Sequence, residues 1–167
     1  MQIKQKTPLT FRHLFAKIIL FCLCILIIDS CTKDTIVNNS KKAEEYQADF
    51  LIKYYDHICK TIKNTAGFFP PQAARAYGYI GIASYESVMH GIEGATSLQG
   101  QLNGFALFKL PQPIGEQKYN WAIASNAATA RMIHYMFEKK ITSADSKKTD
   151  SLETVFHEQL SNGEDQD

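Results

Sequence analysis

For a chain of 167 residues, little here is suited to chemistry. There are three arginines (Arg12, Arg75 and Arg131), four cysteines, five prolines and one tryptophan. Each shortage excludes something. Cys22 and Cys24 fall inside the amino-terminal apolar run and Cys31 just beyond it, so Cys59 stands alone in the rest of the chain. One thiol cannot build an internal disulfide framework, and Cys59 reads as an ordinary core residue. Neither sign of charge dominates, since 18 Lys and Arg face 17 Asp and Glu for a net +1. With no basic patch interleaved with aromatics, nucleic acid is not an expected partner. Gly-x-Ser-x-Gly, a phosphate-binding loop and Gly-x-Gly-x-x-Gly are all absent. No strand alternation and no internal repeat stands out, and only one long apolar run exists.

That run lies at the start. Lys4, Lys6, Arg12 and Lys17 precede an unbroken apolar stretch from Ile18 to Ile28. Eleven residues are short of the roughly 20 that a spanning helix needs, but they suit the apolar core of a secretory signal. Ile28-Asp29-Ser30-Cys31 then resembles a bacterial lipoprotein signal, with Ser30 before the cut and Cys31 as the lipidated first residue. Asp29 stands where that pattern has a small or apolar residue. The alternative is an uncleaved signal anchor with an incidental cysteine. On the lipoprotein reading, residues 1–30 leave, 31–40 form a tether, 41–163 form one helical domain and 164–167 are a polar end. Removing four basic residues and one acid with the signal takes the net charge from +1 to about −2. The expected location is the bacterial cell envelope, facing periplasm or exterior, with the lipid on Cys31 as the membrane contact.

The remainder reads as four helices and one long irregular segment, an all-α fold. Ser40 is the expected N-cap of the first helix, with Glu44 and Glu45 at its positive end. Tyr46, Phe50, Tyr54, Ile58 and Ile62 recur every four residues, flanked by Leu51 and Tyr55, and the helix ends near Asn64. Pro70 and Pro71 open the second, which runs to about His90; Gly78 and Gly81 inside it suggest close packing. Asn120 caps a third from Trp121 to about Lys140, where Lys139 and Lys140 suit its negative end. A fourth covers about Lys147 to Leu160, with Leu152, Val155, Phe156 and Leu160 on one face. Between Gly91 and Lys118 the chain has no helical period. Its apolar residues (Leu98, Leu102, Phe105, Leu107, Phe108 and Leu110) suggest that it packs across the helices or against another surface.

At about 100° per residue, Arg75, Tyr79, Glu86 and His90 share one stripe of the second helix. It is either a hydrogen-bonded or solvated polar seam, or a face turned toward a site that other residues complete. Three further constellations are thin. Glu153 and His157 stand at i, i+4 with no third ligand nearby, so they read as an exposed pair and no metal site is expected. His57 and Asp56 are adjacent on a helix and point apart, and His134 has no evident partner.

The segment Pro70-Pro71-Gln72-Ala73-Ala74-Arg75-Ala76-Tyr77-Gly78-Tyr79-Ile80-Gly81-Ile82-Ala83-Ser84-Tyr85-Glu86 is followed by Ser97-Leu98-Gln99-Gly100-Gln101-Leu102-Asn103. Next come Leu110-Pro111-Gln112-Pro113 and Tyr119-Asn120-Trp121. Together these resemble the amino-terminal, non-catalytic half of bacterial vanadium-dependent haloperoxidase-like proteins, members of the type 2 phosphatidic acid phosphatase superfamily. The likeness covers about residues 45 to 160 and implies a helical-bundle half-domain. The site of that superfamily uses Lys, six residues, then Arg-Pro; later Pro-Ser-Gly-His; later Ser-Arg, five residues, His, three residues, Asp. Cations and backbone N–H groups there neutralise a phosphate or vanadate while histidines attack, ligate or move protons. No arginine of this chain precedes a proline and no proline precedes a serine, so all three motifs are missing.

Two readings follow. In the first, the chain is the amino-terminal portion of a lipid-anchored member whose full-length form hydrolyses phosphate esters or oxidises halides. Phosphate or vanadate would bind only in that form, with no catalytic residue or cofactor in this chain. Arg75, Tyr79 and Glu86 are then the candidates for contacting the catalytic half. In the second, the chain is a short non-catalytic helical lipoprotein that binds a partner or scaffolds at the envelope.

Overall fold

The computed structural model describes residues 40–162, apart from positions 108, 116 and 139. The signal segment, the lipidation candidate Cys31, residues 32–39 of the tether and the polar end at 164–167 lie outside the described residues. So do Phe108 and Lys139. Four α-helices carry the fold: α1 (Asp49–Asn64), α2 (Pro70–Val88), α3 (Trp121–Phe137) and α4 (Ser143–Asn162). Three short 3-10 turns, Ala43–Glu45, Met89–Gly91 and Phe105–Leu107, complete it, and no strand occurs among the described residues. The all-α expectation holds at that level.

Helix α3 is the axis of the packing and touches each of the other three. Its alanine-rich sequence explains this role, because small side chains let several neighbours approach one cylinder. Its buried residues Trp121, Ala122, Ser125, Asn126, Thr129, Ala130, Ile133 and Phe137 therefore spread beyond a single narrow stripe. Around it Phe50, Tyr54 and Ile58 of α1, Ala76 and Ile80 of α2 and Phe156 of α4 close the core. Each large apolar side chain buried this way stabilises the fold by roughly 1.5–3 kcal/mol. Phe156 lies edge-on to Tyr54 with ring centroids 5.6 Å apart, and Phe68 stacks on Phe137 at 4.5 Å. Both are favourable aromatic geometries.

Several element boundaries differ from the sequence expectation. Ser40 caps no helix: α1 starts at Asp49, and Ser40 Oγ instead accepts the Tyr119 N–H at 2.6 Å. Glu44 and Glu45 lie in a separate 3-10 turn, and Tyr46 precedes the helix although it still packs on the core. The start of α4 falls four residues before Lys147. Thr142 is the reason, since its hydroxyl accepts the Asp145 N–H at 3.1 Å and donates to the Asp145 carboxylate at 2.8 Å. That reciprocal bonding satisfies a donor the first turn leaves free. Helix α3 stops at Phe137, whose carbonyl accepts from the N–H groups of both Lys140 and Ile141. Asn120 does cap α3, accepting the Ile123 N–H at 2.9 Å. Pro70 and Pro71 do open α2. Val155, placed on the apolar face of α4 by its spacing, is 43% exposed.

Candidate functional site

Two regions of α2 hold the polar groups that could serve a function. On its outer side lies the stripe of Arg75, Tyr79 and Glu86. The buried residues Ala76, Ile80 and Ser84 face α3 from about a third of the circumference away, so helical periodicity turns the stripe outward. Arg75 is exposed and Tyr79 is 48% exposed. Neither has a hydrogen-bonding or ionic partner among the described residues. Gly78 beside them is open as well: a Cβ there would meet nothing within 4 Å. The close packing expected at Gly78 is absent, whereas at Gly81 a Cβ would stand 3.5 Å from the Tyr55 hydroxyl.

Glu86 behaves differently from its stripe-mates. Its carboxylate accepts from the Ser97 hydroxyl at 2.9 Å and from the Leu98 N–H at 2.6 Å. Ser97 Oγ in turn accepts the Gln99 N–H at 2.9 Å, and from the residue before Glu86 the Tyr85 hydroxyl donates to the Thr96 carbonyl at 2.8 Å. The chain after α2 is therefore strapped to its last turns. His90 is half-buried in the 3-10 turn that follows α2. Gly91, the next residue, lies against the Trp121 indole so closely that a Cβ would come within 2.4 Å of the ring. The later part of the segment is less covered: Leu107 is 89% exposed and Ile114 is 67% exposed. The packing expected of this segment thus holds near the strap and fails at Leu107.

Beside the inner edge of α2 an apolar cleft of about 360 Å³ opens between the chain leading into α1, the second half of α2 and the start of α3. Tyr55, Leu51, Gly81, Val88, Ile92 and Ala122 are among its walls, and Ser84 and Ser125 line it too. These two serines are 8% and 2% exposed and share a hydrogen bond of 2.9 Å. Spacing alone did not reveal the pair, because each serine is unremarkable in its own helix.

Other polar groups hold helices together. The buried Tyr54 hydroxyl donates to Asn126 Oδ1 at 2.8 Å, and Asn126 Nδ2 donates to the Glu153 carbonyl at 2.8 Å, joining α1, α3 and α4. Burial, with a smaller contribution from the Glu153 charge, raises the Tyr54 pKa and keeps it a donor. His57 is buried, with Nε2 3.2 Å from the Asp145 carbonyl and 3.0 Å from Thr149 Oγ1. Thr149 spends its own proton on the Asp145 carbonyl at 3.1 Å, so Nε2 carries the imidazole proton. Burial lowers the His57 pKa, partly offset by the Asp145 charge. His134, unpaired on spacing alone, meets the Asp150 carboxylate at 2.8 Å. Cys59 is exposed rather than core, and its Sγ shares a hydrogen bond of 3.0 Å with the Tyr77 hydroxyl. Burial first, and that bond second, push the Tyr77 pKa up to about 12.

Among the described residues no three His, Cys, Asp or Glu side chains converge as a metal ion would require. The residues of the outer stripe do not fit an oxyanion such as phosphate or vanadate. Arg75 is its single cation, solvated on an exposed helix face, and the Glu86 carboxylate lies on the same stripe. No described helix is long and apolar enough to cross a membrane. The chain matches no protein-family model, no curated protein and no solved structure.

Proposed function

We propose that this chain is the amino-terminal, non-catalytic helical portion of a lipid-anchored protein of the vanadium haloperoxidase-like and acid phosphatase type. Its role is to present the outer face of α2 to the portion that holds the anion. The observation that carries this reading is the bare middle of that face: Arg75 and Tyr79 are exposed and a Cβ at Gly78 would meet nothing within 4 Å. Phe69, immediately before the helix, is 67% exposed as well. Glycine inside a helix costs about 1 kcal/mol against alanine, and a docked backbone would offset that cost. Ester hydrolysis or halide oxidation, and the phosphate or vanadate each requires, then belong to the docking portion. The helical half-domain type, the lipid on Cys31 and the place at the bacterial envelope are parts of the same proposal.

The test is to read the coding sequence downstream of the Asp167 codon in all three forward frames. A frame encoding Lys-x6-Arg-Pro followed by Pro-Ser-Gly-His is the expected result; unrelated sequence would overturn the reading. A second reading, a short helical lipoprotein that binds or scaffolds, draws on the way α1, α2 and α4 enclose α3 around a hydrogen-bonded core. It would be preferred if those motifs are absent and the chain co-purifies with an unrelated envelope protein through α2.

A further inference from the structure

The cleft between α1, α2 and α3 is a binding site for a small neutral apolar molecule carrying one hydrogen-bond acceptor, such as a medium-chain ketone or ester, we propose. Ser84 and Ser125 bring two hydroxyl protons to a pair joined by one hydrogen bond of 2.9 Å, and neither hydroxyl has another partner among the described residues. One O–H is therefore left over, in a pair more than nine-tenths buried and lining the cleft. A buried donor without an acceptor is costly, so this position favours whatever brings an acceptor to it.

The walls define the rest of the ligand. Leu51, Phe50, Val88 and Ile92 present apolar surface, and at Gly81 a Cβ would already stand 3.5 Å from the Tyr55 hydroxyl, so a larger side chain there would narrow the cleft. Its volume of about 360 Å³ lies at the small end of ligand pockets, which run from roughly 300 to 1,000 Å³, and suits a small molecule. No lysine or arginine lines it, and its one charged lining residue, Glu44, is an exposed carboxylate. A carboxylate ligand would find no cation and one repulsive charge. Ligand sites of this kind are mostly apolar, with few polar groups fixing orientation. The site does not depend on the docking role proposed for the outer face of α2.

The experiment titrates the full chain with 2-octanone, with n-octane supplied through the vapour phase and with octanoate, following tyrosine and Trp121 fluorescence. The ketone should saturate and bind about three- to tenfold tighter than the alkane, the factor one net hydrogen bond contributes. Octanoate should bind more weakly than the ketone. The double variant Ser84→Ala with Ser125→Ala should bind ketone and alkane equally, and Gly81→Leu should bind neither. As a readout on the unaltered chain, a diazirine-bearing octanone should crosslink within residues 46–55 and 81–92. Absence of saturable ketone binding, an unchanged ketone preference in the folded double variant, or crosslinks confined to other segments would each overturn the site.

Discussion

At the scale of single residues, two positions are held by close contact and by burial. Gly91 has the tighter fit, because a methyl group placed there would come within 2.4 Å of the Trp121 ring. Trp121 cannot easily withdraw, being 5% exposed and stacked on Tyr119 at 5.2 Å. Gly91→Ala should therefore cost about 1–3 kcal/mol by overpacking, measurable by urea unfolding. His57 gives a prediction in pH. Its pKa in the folded chain is below the ordinary histidine value, so the unfolded chain takes up the proton more readily. Stability is full above the unfolded pKa of about 6.5 and falls as pH drops through that value toward the lower folded pKa. His57→Gln should flatten that part of the pH–stability curve, and an unchanged slope between pH 7 and 5 would assign it to other groups. Gly91 could be read as a turn residue from the sequence, but its contact with Trp121 joins positions thirty apart and has no local signature.

At the scale of elements, what was legible followed from local chemistry. Pro70 and Pro71 mark a helix start because proline tolerates the first turn, and Asn120 marks another because its side chain accepts a free N–H. Ser40 looked equally suitable as a cap, yet its hydroxyl is taken by the Tyr119 N–H, seventy-nine positions away. A cap is a competition between a local donor and a distant one, and only the fold brings the distant one near. The strap after α2 shows the same limit. Glu86 was legible as part of a stripe, but its bonds to Ser97 and Leu98 depend on how the chain turns at Gly91. Glu86→Ala should release that strap while leaving α2 folded. In hydrogen exchange the Leu98 amide should lose protection at least tenfold and Ile80 should not change; equal loss at both would mean that Glu86 supports the whole helix.

At the scale of the molecule, the chain separates residues that hold it together from residues that face outward. Periodicity revealed the apolar contribution to the core in Phe50, Tyr54, Ile58 and Phe156, because burial requires it. It did not reveal the polar link through Asn126, since an asparagine in a helix gives no sign of which partners it will meet. That link is demanding. Asn126 is 1% exposed and answers both the Tyr54 hydroxyl and the Glu153 carbonyl. Asn126→Ala strands the Tyr54 hydroxyl, whereas the Glu153 carbonyl keeps its place in the helical ladder, and one buried polar group left unpaired costs about 1–3 kcal/mol. The outer face of α2 should behave in the opposite way. Arg75 is solvated and Tyr79 half-exposed, so Arg75→Ala with Tyr79→Ala should shift unfolding by no more than about 0.5 kcal/mol. The two variants measured side by side distinguish a face kept for a partner from one the fold itself needs. If the α2 pair destabilised the isolated chain as much as Asn126→Ala does, those side chains would belong to the fold, and the docking role assigned to them would fail.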